Sequence, residues 1–141
     1  MNVFPVPVEY LNLVWPQVSK LFEPALEYAN GRFGEDDVLS DLQNNITSLW
    51  IAVESNDEII AATSVKIVDY PKRRFARYEM VGSKSNEMLN KVGYLLFETI
   101  EEYAKNVMGC SGIEGGGRIG WGKASAKLGY KCSGVFVEKD F

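Results

Sequence analysis

At 141 residues the chain is long enough for one domain with its own core, and 46% apolar with 24% charged side chains is the balance of a globular protein, not a disordered one. The formal net charge of −4 excludes a surface dominated by the basic field that nucleic acid or an anionic membrane requires. With only Cys110 and Cys132, no charged-then-apolar leader after Met1 and no run near the ~20 apolar residues of a membrane span, the chain is expected to be cytoplasmic with reduced thiols.

Val3 to Val8 alternates apolar residues with Pro5 and Pro7, which restricts it to an edge strand or an extended arm. From Val14 or Trp15 to about Tyr28, the residues Val14, Val18, Leu21, Phe22, Ala25 and Leu26 fall at helical spacing. Pro16 is tolerable near the first turn, Pro24 predicts a kink or break, and Asn30-Gly31 ends the helix. Glu35, Asp36 and Asp37 then load the start of a shorter helix with negative charge. Val38, Leu39 and Leu42 give that helix an apolar face, and it stops near Asn44-Asn45.

Leu49 to Val53 reads as a strand, Ser55-Asn56-Asp57 as a turn and Ile59 to Val68 as a longer strand, which together make a hairpin. Tyr70 to Arg73 turns the chain again, into a strand from Phe75 to Val81 and the polar turn Gly82-Ser83-Lys84-Ser85. A long helix comes next, with Ser85 as N-cap, Glu87 in the first turn and a stripe of Leu89, Val92, Leu96, Ile100, Tyr103 and Val107. Gly109 supplies the left-handed stop. Cys110 to Glu114 is the next strand. Strand, helix and strand make a crossover with parallel strands, and its first turn brings backbone N–H groups to a helix start where an anion would be held.

Gly115-Gly116-Gly117 leads into a short helix from about Ile119 to Leu128, a stop at Gly129-Tyr130 and a last strand from Lys131 to Glu138. The predicted order is β-α-α-β-β-β-α-β-α-β in a single domain spanning residues 1–141, a mixed α/β sheet with helices on both faces.

That order resembles the GCN5-related N-acetyltransferase (GNAT) superfamily over nearly the whole chain. Its most specific local piece is Arg118 to Tyr130, which is similar to the superfamily's closing helix ending in Gly-Phe or Gly-Tyr. The Arg-x-Gly-Trp stretch at Arg118 to Trp121 is also similar to that of small tailed-phage gene products. The first resemblance implies an N-acyltransferase that binds acetyl-CoA and takes a small amine or a protein amine as acceptor. The second implies a non-catalytic interaction or assembly module with a protein partner, associated with the virion.

In the superfamily the pyrophosphate of acetyl-CoA lies on a Gln/Arg-x-x-Gly-x-Gly/Ala loop before the long helix. This chain has Gly82, Ser83, Lys84 and Ser85 at that place, with one glycine and a lysine charge. Where the family commonly carries a tyrosine that protonates the departing thiolate, four residues before the glycine stop, this chain has Ser125. Serine is a far poorer proton donor than a phenol; Tyr130 is one candidate to replace it, and is equally explained as a core aromatic after the glycine stop. The base candidates are Glu79 and Glu114 on central strands; there is no histidine. Strand alternation predicts Arg77 and Glu79 on one face, with Ala76, Tyr78 and Met80 on the other, so a salt-bridged solvent face involving Lys66 competes with a catalytic reading of Glu79.

Lys72, Arg73, Arg74 and Arg77 form a small basic patch at a hairpin tip, suited to an acidic partner or simply to solvating a turn. Arg118, after three glycines, and Trp121, between two more, are the candidate recognition surface; a core role for Trp121 is the alternative. Trp50, between Leu49 and Ile51, reads as core.

Overall fold

The computed structural model describes residues 1–117 and 120–141, with Gly120 described by its backbone alone. In chain order the elements are β1 (Asn2–Val6), a short 3-10 turn (Val8–Tyr10), α1 (Leu11–Tyr28), α2 (Glu35–Gln43), β2 (Thr47–Val53), β3 (Ile59–Asp69), β4 (Arg74–Ser83), α3 (Asn86–Asn106), β5 (Gly112–Gly115) and α4 (Gly120–Ala126). The sheet runs β1-β2-β3-β4-β5 in space, its first three pairings antiparallel and the last parallel. β1 lies at one edge, where Pro5 and Pro7 do least harm to the hydrogen-bond ladder.

Both faces of the sheet are covered, which is why Leu49 to Ala52 of β2 and Ile59 to Val65 of β3 are buried without a break and lack simple alternation. On one face Val18, Leu21 and Phe22 of α1 and Leu42 of α2 pack on Leu49, Ile51, Ala62 and Met80. On the other, Val92, Leu96 and Ile100 of α3 pack on Trp50, Ile60, Val65 and Ala76. Trp50 is core, as its neighbours in sequence suggest, and its ring meets Tyr103 edge-on at 5.1 Å.

α3 begins at the expected cap: Ser85 Oγ accepts the Met88 N–H at 3.0 Å. Its end is closed by Gly109 at φ +67°. The apolar stripe holds as far as Ile100, then passes to Ala104, and Val107 at the C-cap is left 62% exposed. α1 departs from expectation at Pro24. The helix starts earlier, at Leu11, and continues unbroken through both prolines to Tyr28. Burial of Leu11, Val18, Leu21 and Phe22 against the sheet outweighs the hydrogen bond that Pro24 removes.

The last strand is a correction. Residues 131–141 form no regular element and do not join the sheet, so the element order ends at α4. The tail is tied elsewhere: Glu138 pairs with Arg32, and Asn30 Nδ2 donates to both Asp140 carboxylate oxygens at 3.3 Å. Strand-forming residues without a ladder partner do not make a strand. Among the described residues, no helix is long and apolar enough to cross a membrane.

Candidate functional site

The site begins with an irregularity in β4. Ser64 of β3 pairs with Met80, but the next residue, Val65, pairs with Tyr78, so Glu79 is an extra residue in the ladder. The bulge is pinned by two buried hydroxyls: Thr63 Oγ1 donates to Met80 O at 2.7 Å, and Met80 N–H donates to Ser64 Oγ at 3.1 Å. It also reverses which face the side chains take on its two sides. Ala76 and Tyr78 pack on the α3 side while Met80 packs on the α1 side, so the single alternation expected from Ala76 to Met80 does not hold.

β5 accompanies β4 only from Phe75 to Tyr78, the last pair being Tyr78 with Gly115. From Glu79 to Ser83, β4 continues toward the start of α3 without β5 as a partner.

On the α3 side, beside the point where this pairing ends, the groups are aromatic. Trp121 of α4 meets Phe97 edge-on at 6.4 Å, Phe97 meets Tyr78 at 5.0 Å, and Tyr78 faces Tyr130 at 6.4 Å. The Tyr130 hydroxyl donates to Glu101 Oε1 on α3, and with that proton committed Tyr78 OH is the donor to Tyr130 OH at 3.0 Å. Burial pushes both phenols well above the ordinary tyrosine range, with Tyr78 and Glu101 adding to the effect at Tyr130. Both stay protonated at neutral pH.

On the opposite side of the sheet the groups are charged. Arg77 reaches Glu114 at 3.4 Å and Glu79 at 3.9 Å, and also donates to Tyr70 OH at 3.2 Å. Tyr70 OH in turn donates to Glu114 Oε1 at 2.7 Å. Arg77, not Lys66, is therefore the partner of Glu79. Glu114 is committed to two partners, which leaves Glu79, at the bulge, as the less engaged carboxylate where the β4–β5 pairing ends. The basic patch is largely satisfied from within: Arg74 pairs with Asp69 at 3.3 Å, and Arg73 donates to Ser111 Oγ at 3.2 Å while lying over the Phe75 ring.

The turn before α3 divides in two. Gly82 is buried, and a Cβ there would lie 2.1 Å from Leu21 O, so its missing side chain accommodates α1. Ser83 Oγ donates to Ser85 O at 2.8 Å and Lys84 pairs with Glu58. With Ser85 capping Met88, the first-turn N–H groups of Asn86 and Glu87 have no intrahelical acceptor. A groove of about 510 Å³ opens beside this turn, lined by Gln17, Lys20, Leu21 and Pro24 of α1 with Ser83 and Lys84.

Of the recognition pair, Arg118 lies outside the described residues. Trp121 is half-buried against Phe97, and its ring presses on Gly117, where a Cβ would lie 2.7 Å from Cδ1. It is a packing residue, contrary to the exposed position its flanking glycines suggest. Glu101, Thr63 and Ser64 do not stand out in the sequence, because an isolated glutamate on a helix and two hydroxyls in a strand carry no local signal.

No protein-family model matches the chain, and no curated protein sequence does. Solved structures do. A tetramutant of the BH1408 protein from Bacillus halodurans superposes with a TM-score of 0.76 at 16% identity, over 100% of both chains. Glucosamine-6-phosphate N-acetyltransferase from Arabidopsis thaliana gives 0.70 at 14%, covering 99% of this chain and 97% of that one. An aminoglycoside 6'-N-acetyltransferase from Acinetobacter baumannii gives 0.66 at 16%, covering 99% and 98%. What is shared at such identities is the fold: this chain has the GNAT fold.

Proposed function

We propose that this GNAT-fold protein transfers an acyl group from acyl-CoA, with acetyl-CoA as the first candidate, to a small amine or a protein amine. The observation that carries the reading is the end of the β4–β5 pairing directly beside the bulge at Glu79, with a proton acceptor on one side of the sheet and phenols on the other. Lys84, Ser83 and the free N–H groups of Asn86 and Glu87 are the groups that would hold the pyrophosphate, since a helix start and a cation favour a diphosphate. Acyl-CoA, when bound, supplies the thioester carbonyl and a thiolate leaving group.

Glu79 takes the proton from the acceptor nitrogen as that nitrogen forms its bond to the carbonyl carbon. Tyr130, oriented by Tyr78, is the phenol that would give its proton to the departing sulfur as the carbon–sulfur bond breaks, exchanging its bond to Glu101 for one to the sulfur. Arg77 bridges Glu79 and Glu114, and Glu114 serves to fix Arg77.

Thermal unfolding in the presence of acetyl-CoA tests the binding step, because a ligand that binds only the native state raises the midpoint. A rise is expected with saturating cofactor; an unchanged midpoint at millimolar concentration would end the enzyme reading. A non-catalytic assembly or host-interaction module is the second reading, favoured by a turn whose one glycine serves α1 and by a Tyr130 proton already given to Glu101. An unmoved midpoint together with a captured protein partner would establish it.

A further inference from the structure

The reaction set out above leaves the basic tip of the β3–β4 hairpin without a task. The Tyr70 N–H donates to Arg73 O at 2.8 Å across this turn and Pro71 fixes its own backbone, so the tip holds one shape. An open cup of about 590 Å³ lies against it, within the size range of small-molecule sites, lined by Tyr70, Pro71, Lys72, Arg73, Phe75 and Glu114. Its surface is almost wholly apolar. The Phe75 ring meets Tyr70 edge-on at 5.8 Å and lies over Gly112, where a Cβ would come within 2.6 Å of Phe75 Cε2.

The charges around the cup are unevenly matched. Arg74 is paired with Asp69, and Arg77 with Glu79 and Glu114. Among the described residues Lys72 has no hydrogen bond or ion pair, and Arg73 meets only Ser111 and the Phe75 ring, so neither cation faces a carboxylate. Glu114 belongs to two places at once, because it lines the cup and shares the Arg77 guanidinium with Glu79, at 3.4 Å and 3.9 Å. Unmatched cations, apolar surface and carboxylates thus follow one another on one side of the sheet, ending at the group assigned as base.

We propose that the cup is the acceptor site of the transferase, resting on that reading of the protein, and that the acceptor is a small amine joined through an aromatic or other apolar body to a carboxylate. The body lies on Tyr70, Pro71 and Phe75, and the far carboxylate meets Lys72 and Arg73. The ammonium end is drawn toward Glu114 and Glu79. It sheds one proton to water, and Glu79 takes the second as nitrogen bonds to the carbonyl carbon; the thiolate leaves with the Tyr130 proton, giving an amide and free CoA thiol. Polyamines are rejected, since Lys72 and Arg73 repel a second ammonium.

The compound para-(aminomethyl)benzoate has this shape, and benzylamine is the same molecule without the carboxylate. Titrated into isotope-labelled protein and followed by NMR, the first should shift amides from Tyr70 to Phe75 and from Gly112 to Glu114, and bind about tenfold tighter than the second, the effect of one charge-assisted contact. With acetyl-CoA its kcat/KM should exceed that of benzylamine by about tenfold, the difference lying in KM. Lys72→Glu should bring this ratio to one or below, and the circular dichroism of the variant should match wild type because Lys72 is exposed. Equal binding of the two amines, amide shifts confined to other parts of the protein, or a ratio that survives Lys72→Glu overturns the proposal. Failure of the transferase reading looks different: acetyl-CoA that leaves the unfolding midpoint unmoved ends that reading, and the acceptor role of the cup with it, before any amine is added.

Discussion

At the scale of single residues, Gly82 shows how one amino acid fits two explanations. In sequence it is the glycine of a phosphate-binding turn. In space its bare Cα is what lets the Leu21 carbonyl of α1 approach β4. Gly82→Ala should therefore destabilise the protein by about 1–3 kcal/mol through overpacking, seen in urea unfolding, whether or not cofactor binding changes. A fully stable Gly82→Ala with weakened acetyl-CoA binding would restore the first explanation. Thr63→Val removes the donor to Met80 O in the buried bulge and should cost about 1–3 kcal/mol for the unsatisfied carbonyl. Neutral urea unfolding for that variant would mean that water reaches the bulge.

The two half-buried phenols make a pH prediction. Tyr78 and Tyr130 keep their protons in the folded state at pH values where an unfolded tyrosine, titrating near 10, has released its own. The native state thus binds more protons above about pH 10, and stability that is complete below that pH must fall as pH rises through the raised folded values. Unfolding midpoints measured into the alkaline range should drop, and Tyr130→Phe should flatten the drop. An equal slope in wild type and variant would show that the phenols are solvated.

Among the elements, α3 was the most legible, because Ser85, the apolar spacing and Gly109 all agree on one helix. Leu96→Ala, at a position of 0% exposure, should cost about 2–5 kcal/mol. A loss under half a kcal/mol would contradict the packing of this face. The meander from β2 to β4 was legible for the same reason, since apolar runs alternate with turn residues such as Asp57 at φ 63°. The bulge was not legible. Thr63 and Ser64 have the composition of any strand, and only their pairing with Met80, 16 and 17 residues away, reveals their task. Pro24 and the tail failed in opposite directions: packing overruled a local breaker in α1, and the lack of a partner defeated local strand propensity in Val135 to Val137.

For the whole molecule, the sheet's connectivity explains why the carboxylates of the candidate site could be named in advance but not ranked. Glu79 and Glu114 lie on neighbouring strands in any crossover of this kind, but which of them is held depends on Tyr70 and Arg77 meeting at the hairpin tip. The same connectivity sets an order of assembly. β2, β3 and β4 are joined by short turns, whereas β1 must wait for β2, with Asn2 pairing to Val53, and β5 must wait until α3 has been made. On a ribosome that extends the chain at about 5–20 residues per second, the first strand emerges seconds before any partner exists for it. Pro5 and Pro7 then have a second use, keeping that waiting segment from pairing with other nascent chains. The sheet should grow from its middle outward, so that pulsed hydrogen exchange during refolding finds amides of β2 to β4 protected before those of β1 and β5.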